Sequence, residues 1–324
     1  MIISTSWKNI WRNKVRSLVV TFAIVLGIFG GVFSAAITMG LSEQRIKKAL
    51  DNEICDIQIR NNKFSANKEL QFSIQHADSI IGILKKNPEV VAISKRSEVV
   101  AMAQTSHAGT GVLIFGINPE EEKKVCKLYK TICDSCGEFL TESKKKPIVI
   151  GRKLADKLKV KVKSKIILTC QNIDGDIVLE NFKVVGIYET KNAAIDEMNV
   201  YVRNSDLVAI TGIQPNEPHE LAIKLTNKDI APTLALQLKK EFPNLEILSW
   251  KEISPEIGYM NDMMDVMLLI IIGIILLALG FGIVNTMLMA ILERTHEIGM
   301  LMAIGMNKLR IFSMIMFESV FLTF

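Results

Sequence analysis

Five cysteines and four histidines are the side chains that could bind a metal, carry electrons or attack a substrate, and most of them stand apart. Cys126, Cys133 and Cys136 form a local group; Cys55 and Cys170 lie elsewhere. Cys133-Asp134-Ser135-Cys136 has the spacing of a redox pair or of half a metal site. Zinc needs four ligands, and no histidine is close in sequence to supply the rest. A local disulfide and unpaired thiols both stay open, because five is an odd number. His76, His107, His219 and His296 are isolated and read as surface or hydrogen-bonded residues. No Walker A run, no His-Glu-x-x-His and no Gly-x-Ser-x-Gly occurs. The expectation is therefore no catalytic residue, no cofactor and no metal site. Any ATP hydrolysis has to belong to another chain.

The most informative polar cluster is Glu293-Arg294-Thr295-His296-Glu297, followed by Ile298-Gly299-Met300-Leu301-Met302-Ala303-Ile304-Gly305. All the charges sit at its start, and apolar side chains follow. Gly305 is placed to end a helix, and Asn307 to cap the next one. A short amphipathic helix of this kind either docks on a partner or is a plain interfacial connector. The residues by themselves leave both open.

What positions this segment is a pair of apolar runs. Residues 17–42 and residues 266–292 contain no charged side chain. About 20 apolar residues cross a bilayer core, so each run predicts a transmembrane helix. The first run exceeds the length of a cleaved signal peptide's apolar region and reads as an uncleaved anchor. Ile311 onward begins another apolar stretch, interrupted only by Glu318, and residues 307–324 read as the start of a third span cut short. In the first span Gly27, Gly31 and Ala35 recur every fourth residue, either as a close-packing face or because glycine is common in membrane helices. Asn285 is a polar residue inside the second run, suited to a hydrogen bond with a neighbouring helix.

Charge sets the orientation. The formal net charge is +5, yet residues 43–265 hold 32 basic and 31 acidic residues, so the excess flanks the apolar runs. Lys8, Arg12, Lys14 and Arg16 precede the first span, which keeps the N-terminal segment 1–16 in the cytoplasm and residues 43–265 outside. No basic stripe interleaved with aromatics is visible, so nucleic-acid binding is not expected. With 49% hydrophobic residues and a mean hydropathy of +0.28, disorder is excluded as well.

The outer region repeats a strand–helix–strand pattern at its two ends. Residues 55–59, 76–86 and 90–100 form the first unit; residues 220–225, 230–242 and 245–250 form the second. Together they predict a split βαβ subdomain over about 50–105 and 215–250. Between them, about 106–214, strand-like runs dominate and Asp174-Gly175-Asp176 marks a turn. The fold class expected is an α+β membrane protein, with helices flanking a large extracytoplasmic domain that carries a β-rich insert.

Asn285-Thr286-Met287-Leu288-Met289, the Glu293–Gly299 stretch and Ala303-Ile304-Gly305 resemble the signature of FtsX-like permeases of ABC transporters. That group includes MacB-like exporters and the lipoprotein-releasing LolC/LolE permeases, and the latter branch is the more similar. Trp7-Lys8-Asn9-Ile10-Trp11-Arg12-Asn13-Lys14, Gly151-Arg152-Lys153-Leu154-Ala155 with Val160-Lys161-Val162, and Phe182-Lys183-Val184-Val185-Gly186-Ile187 extend the resemblance over nearly the whole chain. It implies four spans, a MacB-like periplasmic core domain between the first two, and a coupling helix over 293–306 gripped by an ABC ATPase subunit that binds the ATP. Glu293, Arg294, Thr295, His296 and Glu297 are then the contacts to the ATPase, with Gly299 and Gly305 shaping the helix. The implied partners are that ATPase, a second permease copy or paralogue, membrane lipid, and a lipoprotein or other exported substrate. The implied place is the bacterial inner membrane. Met302 stands where a basic residue is common, and the Cys126–Cys136 stretch has no counterpart in the pattern. The rival expectation is a membrane-anchored sensor or scaffold with an outer ligand-binding domain and no transport.

Overall fold

The computed structural model describes residues 14–52, 54–141, 144–293 and 295–323. They fall into two compact units, residues 44–259 and residues 1–43 with 260–324.

The first unit is built on ten strands: β1 (Ile57–Asn61), β2 (Val90–Gln104), β3 (Gly109–Ile117), β4 (Ile132–Gly137), β5 (Pro147–Gly151), β6 (Lys165–Gln171), β7 (Ile177–Tyr188), β8 (Asn199–Arg203), β9 (Glu220–Leu225) and β10 (Leu245–Ser249). Four of them form an antiparallel lobe in the order β10-β1-β9-β2. Its helices, Ala77–Leu84 and Ala231–Glu241, connect β1 to β2 and β9 to β10. Each helix buries one apolar stripe: Ala77, Ile80 and Leu84 in the first, Ala231, Leu234, Ala235 and Leu238 in the second. These are the two strand–helix–strand units expected from the periodicity.

The second lobe closes on itself. From β2 the pairing runs through β3, β8, β5, β7 and β6 and returns to β2, with β4 added on the outside of β7. Closure removes the free edges that an open sheet would present. Alternation along β2 fills the interior: Val99, Ala101 and Ala103 are buried while Val100 and Met102 face outward. Ile148, Ile150, Ile166, Leu168, Phe182, Val184, Val200 and Val202 complete that core.

The boundary expected near residue 106 therefore does not exist as a break in the chain. β2 belongs to both lobes, pairing β9 through its first half and β3 through its second, and the change of partner falls at Arg96. Hydrophobic alternation continues smoothly through such a shared strand, so no local signal marks the change.

The first long helix runs Lys14–Asn52 and the second Pro255–Glu293. Both continue past the charge-free runs. They contain the two segments, Val25–Asn52 and Pro255–Gly282, long and apolar enough to cross a membrane. Two further helices follow, Thr295–Ala303 and Lys308–Thr323.

Candidate functional site

The short helix Thr295–Ala303 stands between two longer apolar ones. At about 1.5 Å per residue it is roughly 13 Å long. The Thr295 hydroxyl donates to the Leu292 carbonyl at 3.2 Å, tying its start to the preceding helix. Its end is a Schellman motif. Gly305 adopts φ +95°, its N–H donates to Met302 O at 3.0 Å, and the Met306 N–H donates to Leu301 O at 3.0 Å. Asn307 then accepts from the Leu309 N–H through its side chain at 3.3 Å and starts the next helix.

His296 and Glu297 are exposed on this helix, and a Cβ at Gly299 would meet nothing within 4 Å. Glu293 is the last residue of the second long helix, but its side chain, like that of Asn285, is outside what is described, as is Arg294 altogether. The Trp7–Asn13 part of the N-terminal motif lies outside the described residues too. Beyond the polar start, Met300, Met302 and Ile304 are exposed, the last at 84%. What the described part of the helix offers is a polar start followed by bare apolar side chains, ended by one fixed turn.

The glycine column of the first helix meets the second helix. A Cβ on Gly27 would lie 3.3 Å from Leu279 Cδ2, and one on Gly31 2.5 Å from Ile275 Cδ1. Ala35, one turn on, is partly covered. A Cβ on Gly273, Gly280 or Gly282 would meet nothing within 4 Å, so small size matters at Gly27 and Gly31 and not at these three.

Sequence reasoning missed a third feature, a buried chain of charges in the antiparallel lobe. Arg60, Glu220 and Arg96 lie opposite one another across β1, β9 and β2. Arg60 Nη2 and Nε donate to Glu220 Oε2 at 2.6 and 3.0 Å, and Arg96 Nη1 donates to Glu220 Oε1 at 2.9 Å. Arg96 also makes a forked contact to Glu122, at 2.6 Å from Nη2 and 3.1 Å from Nε, and Ser94 Oγ donates to that carboxylate at 2.7 Å. Glu98 joins Arg60 at 3.3 Å and Lys68 at 2.7 Å. Three cations thus balance three carboxylates. Burial opposes charge on Glu220, yet Arg60 and Arg96 win and hold it down to about 2. Burial likewise keeps His219 neutral. Its Nδ1 accepts from the Glu98 N–H at 3.2 Å, which leaves Nε2 to donate to Leu70 O at 2.9 Å. Ser94, Arg96 and Glu98 alternate along β2 as polar residues, a pattern that reads as a wet face until the covering helix Pro119–Val125 brings Glu122 over it.

The cysteine question resolves into one disulfide, Cys133–Cys136, and three buried thiols at Cys55, Cys126 and Cys170. Among the described residues no group of three or more His, Cys, Asp or Glu could hold a metal ion.

The chain is similar to known proteins. The profile described as a MacB-like periplasmic core domain matches residues 17–241, and that described as FtsX-like permease C-terminal matches residues 269–324. The lipoprotein-releasing system transmembrane protein LolC of Buchnera aphidicola is 27% identical over 206 residues, 61% of this chain and 49% of the relative. The corresponding protein LolE of Haemophilus influenzae is 23% identical over 293 residues, 85% of this chain and 67% of the relative. The chain thus spans about half the length of the first and two thirds of the second. Among solved structures, the periplasmic region of MacB from Actinobacillus actinomycetemcomitans aligns with 62% of this chain and 92% of its own, at 14% identity and a TM-score of 0.42.

Proposed function

Since the chain belongs to the MacB-like periplasmic core domain family and to the ABC transporter permeases of the FtsX, MacB and LolC/LolE kind, we propose that it passes the motion of a separate ATPase subunit to its outer domain. The observation that carries this reading is the exposed helix Thr295–Ala303, stopped at its far end by the Schellman turn at Gly305. A helix anchored that way moves as a piece, so a push on its polar first turn is delivered to the longer helices on either side. Glu293, Arg294, Thr295, His296 and Glu297 form the polar contact, and Gly299 and Gly305 keep the helix slim and sharply ended.

The basic residues before the first span support a cytoplasmic N-terminal segment and short helix, with residues 43–265 outside. The membrane is a bacterial inner membrane crossed several times. The working unit pairs this chain with a second copy or a paralogue and with the ATPase dimer, which alone binds and hydrolyses ATP. The cargo is an amphipathic, lipid-modified protein, a class taken from the two relatives whose names carry lipoprotein release. A polar path through the spans is not required, and the runs 17–42 and 266–292 contain no ionisable side chain.

The test is reconstitution with the ATPase in vesicles. Glu297→Lys reverses one charge at the contact and is expected to remove most of the permease-dependent stimulation of ATP hydrolysis while the chain still inserts. Unchanged stimulation overturns the docking assignment. A chain that purifies with no ATPase at all, yet binds a ligand through its outer domain, would support the sensor reading instead.

A further inference from the structure

The Cys133–Cys136 bridge lies in β4, which pairs with β7 at two positions only, Ile132 with Tyr188 and Gly137 with Gly186. The residues between have no ladder partner. The close approach of Gly137 and Gly186 pins the far end of this segment: a Cβ on Gly137, at φ +96°, would lie 2.1 Å from the Val185 carbonyl oxygen. The Glu138 N–H donates to that same oxygen at 3.0 Å. A bridge that closes so short a loop contributes less chain-entropy stabilisation than one that closes a long loop, and this segment is already held by backbone contacts.

The two sulfurs sit in different surroundings. Cys133 is exposed, with its Sγ 3.4 Å from the Ser135 hydroxyl. Cys136 is 6% exposed and belongs to the barrel core. Arg152, the first residue of the helix Arg152–Leu158, places Nη2 2.7 Å from Cys136 Sγ. A bridged sulfur carries no charge and has no use for a guanidinium, whereas a thiolate does. The other three cysteines lack this arrangement. Burial pushes the thiols of Cys55 and Cys126 up to about 12, out of reach of exchange at neutral pH.

We propose that Cys133–Cys136 is a thiol–disulfide exchange site, reduced by an external dithiol that attacks Cys133 and expels Cys136 as a thiolate onto Arg152. A thiolate of the dithiol bonds to Cys133 Sγ. The Cys133–Cys136 bond breaks, and its electron pair stays on Cys136. The second thiol of the reductant, once deprotonated, attacks the reductant's own sulfur in the mixed disulfide and releases Cys133. The protein disulfide gains two electrons and becomes two thiols; the dithiol loses two electrons and two protons and becomes a disulfide. The substrate class is thus a small dithiol or the paired cysteines of an oxidoreductase. This proposal does not depend on how the chain couples to an ATPase.

Exposure decides which sulfur is attacked, and the cation decides which sulfur leaves. Lower basicity at the leaving sulfur speeds exchange. Replacing Arg152 by Gln is expected to slow cleavage by about threefold to tenfold, and Arg152→Lys to restore most of it.

The experiment uses the full chain in detergent, with dithiothreitol as the dithiol and glutathione as a monothiol that stops at the mixed disulfide. Alkylation and peptide mass spectrometry locate the products, and circular dichroism reports whether the fold persists. Expected are cleavage in the folded chain, a glutathione adduct on Cys133, three other thiols left untouched, and slower cleavage in Arg152→Gln. Cleavage only after unfolding, an adduct on Cys136, or an Arg152→Gln rate equal to the parent's would each overturn the proposal. Should Arg152→Gln fail to fold, the adduct position in the parent chain decides.

Discussion

The two units solve opposite solvation problems with the same residue types. Residues 44–259 hide a core of large aliphatics: Ile57, Ile59, Ile148, Ile150 and Ile223 are at 0% exposure. In the long helices the same kinds of side chain are bare, with Leu269 at 73% and Phe281 at 74%. Charge is distributed the other way round. Residues 44–259 tie six charged groups, four of them buried, into one mutually neutralising chain, while the charge-free runs carry none. One unit uses ions where their partners are fixed; the other carries long charge-free apolar runs, as helices that face lipid do. The contrast implies that the outer unit's stability is tuned by electrostatics and the spans' by close packing.

The sharpest way to break that contrast is Arg96→Ala. It leaves Glu122 and Glu220 buried without their cation, and a loss of about 3–5 kcal/mol is expected, read as a shift in urea unfolding followed through buried Trp250. Replacing Arg96, Glu122 and Glu220 together by apolar residues of similar volume should recover much of it. If Arg96→Ala costs under about 1 kcal/mol, the chain of charges behaves as a surface network and the comparison fails.

Acid should act next most strongly, and on one unit. Glu220 is held at about 2 in the folded chain against an ordinary value near 4.5. Between those values the unfolded chain binds more protons, so stability rises with pH; the contribution is complete above about pH 5 and is lost as pH falls toward 2. Its size is on the order of a few kcal/mol. Burial raises Asp56 and Asp196, which works in the opposite sense and trims the net effect. Unfolding midpoints measured from pH 7 to pH 3 check this. Glu220→Gln should flatten the profile, and a profile that stays steep would place the acid sensitivity elsewhere.

These effects also mark what the sequence could reveal. The spans were legible because a helix of that length packed in a water-soluble core would show a polar face, and these runs have none. The two strand–helix–strand units were legible because period 2 and period 3.6 alternate cleanly at 55–100 and 220–250. Gly305 and Asn307 could be placed because helix ends use few residue types. The closed barrel was not legible, since β6 pairs with a strand some sixty residues earlier and nothing local encodes that partner. Nor was the charge chain. Arg60, Glu98 and Glu220 look like solvent-facing strand residues until three strands bring them into register. The cysteine pair was ambiguous because the guanidinium that distinguishes it, Arg152, sits on a different element.

Close packing gives a smaller pair of effects. At Gly151 a Cβ would lie 2.1 Å from the backbone oxygen of Asp196, which cannot turn aside, so Gly151→Ala should cost about 1–3 kcal/mol. At Gly31 the obstacle is the terminal methyl of Ile275, which can rotate, and Gly31→Ala should cost under about 1 kcal/mol. Gly31→Leu exceeds what one rotamer change relieves and should separate the two helices, seen as lost cross-linking between cysteines introduced at Ala35 and Ile271. A larger penalty for Gly31→Ala than for Gly151→Ala would mean the spans are packed more tightly than the outer domain.

The smallest effects belong to the turns around the short helix, where neither burial nor charge pairing helps. Gly305 sits at φ +95° in open space, so Gly305→Ala meets no neighbour and costs only backbone strain, about 1 kcal/mol. That lowers the population of the formed turn by about fivefold relative to its frayed state. Asn307→Ala removes a single long cap bond and should cost about 0.5 kcal/mol. Hydrogen exchange at the Gly305 and Met306 amides, the two donors of the Schellman turn, reads both, with Gly305→Ala accelerating exchange more than Asn307→Ala. Because a lever transmits force only while its ends are stiff, permease-stimulated ATP hydrolysis should fall in the same order, and by less than in Glu297→Lys. Faster exchange with undiminished stimulation would separate turn stiffness from coupling and leave the polar first turn as the sole contributor.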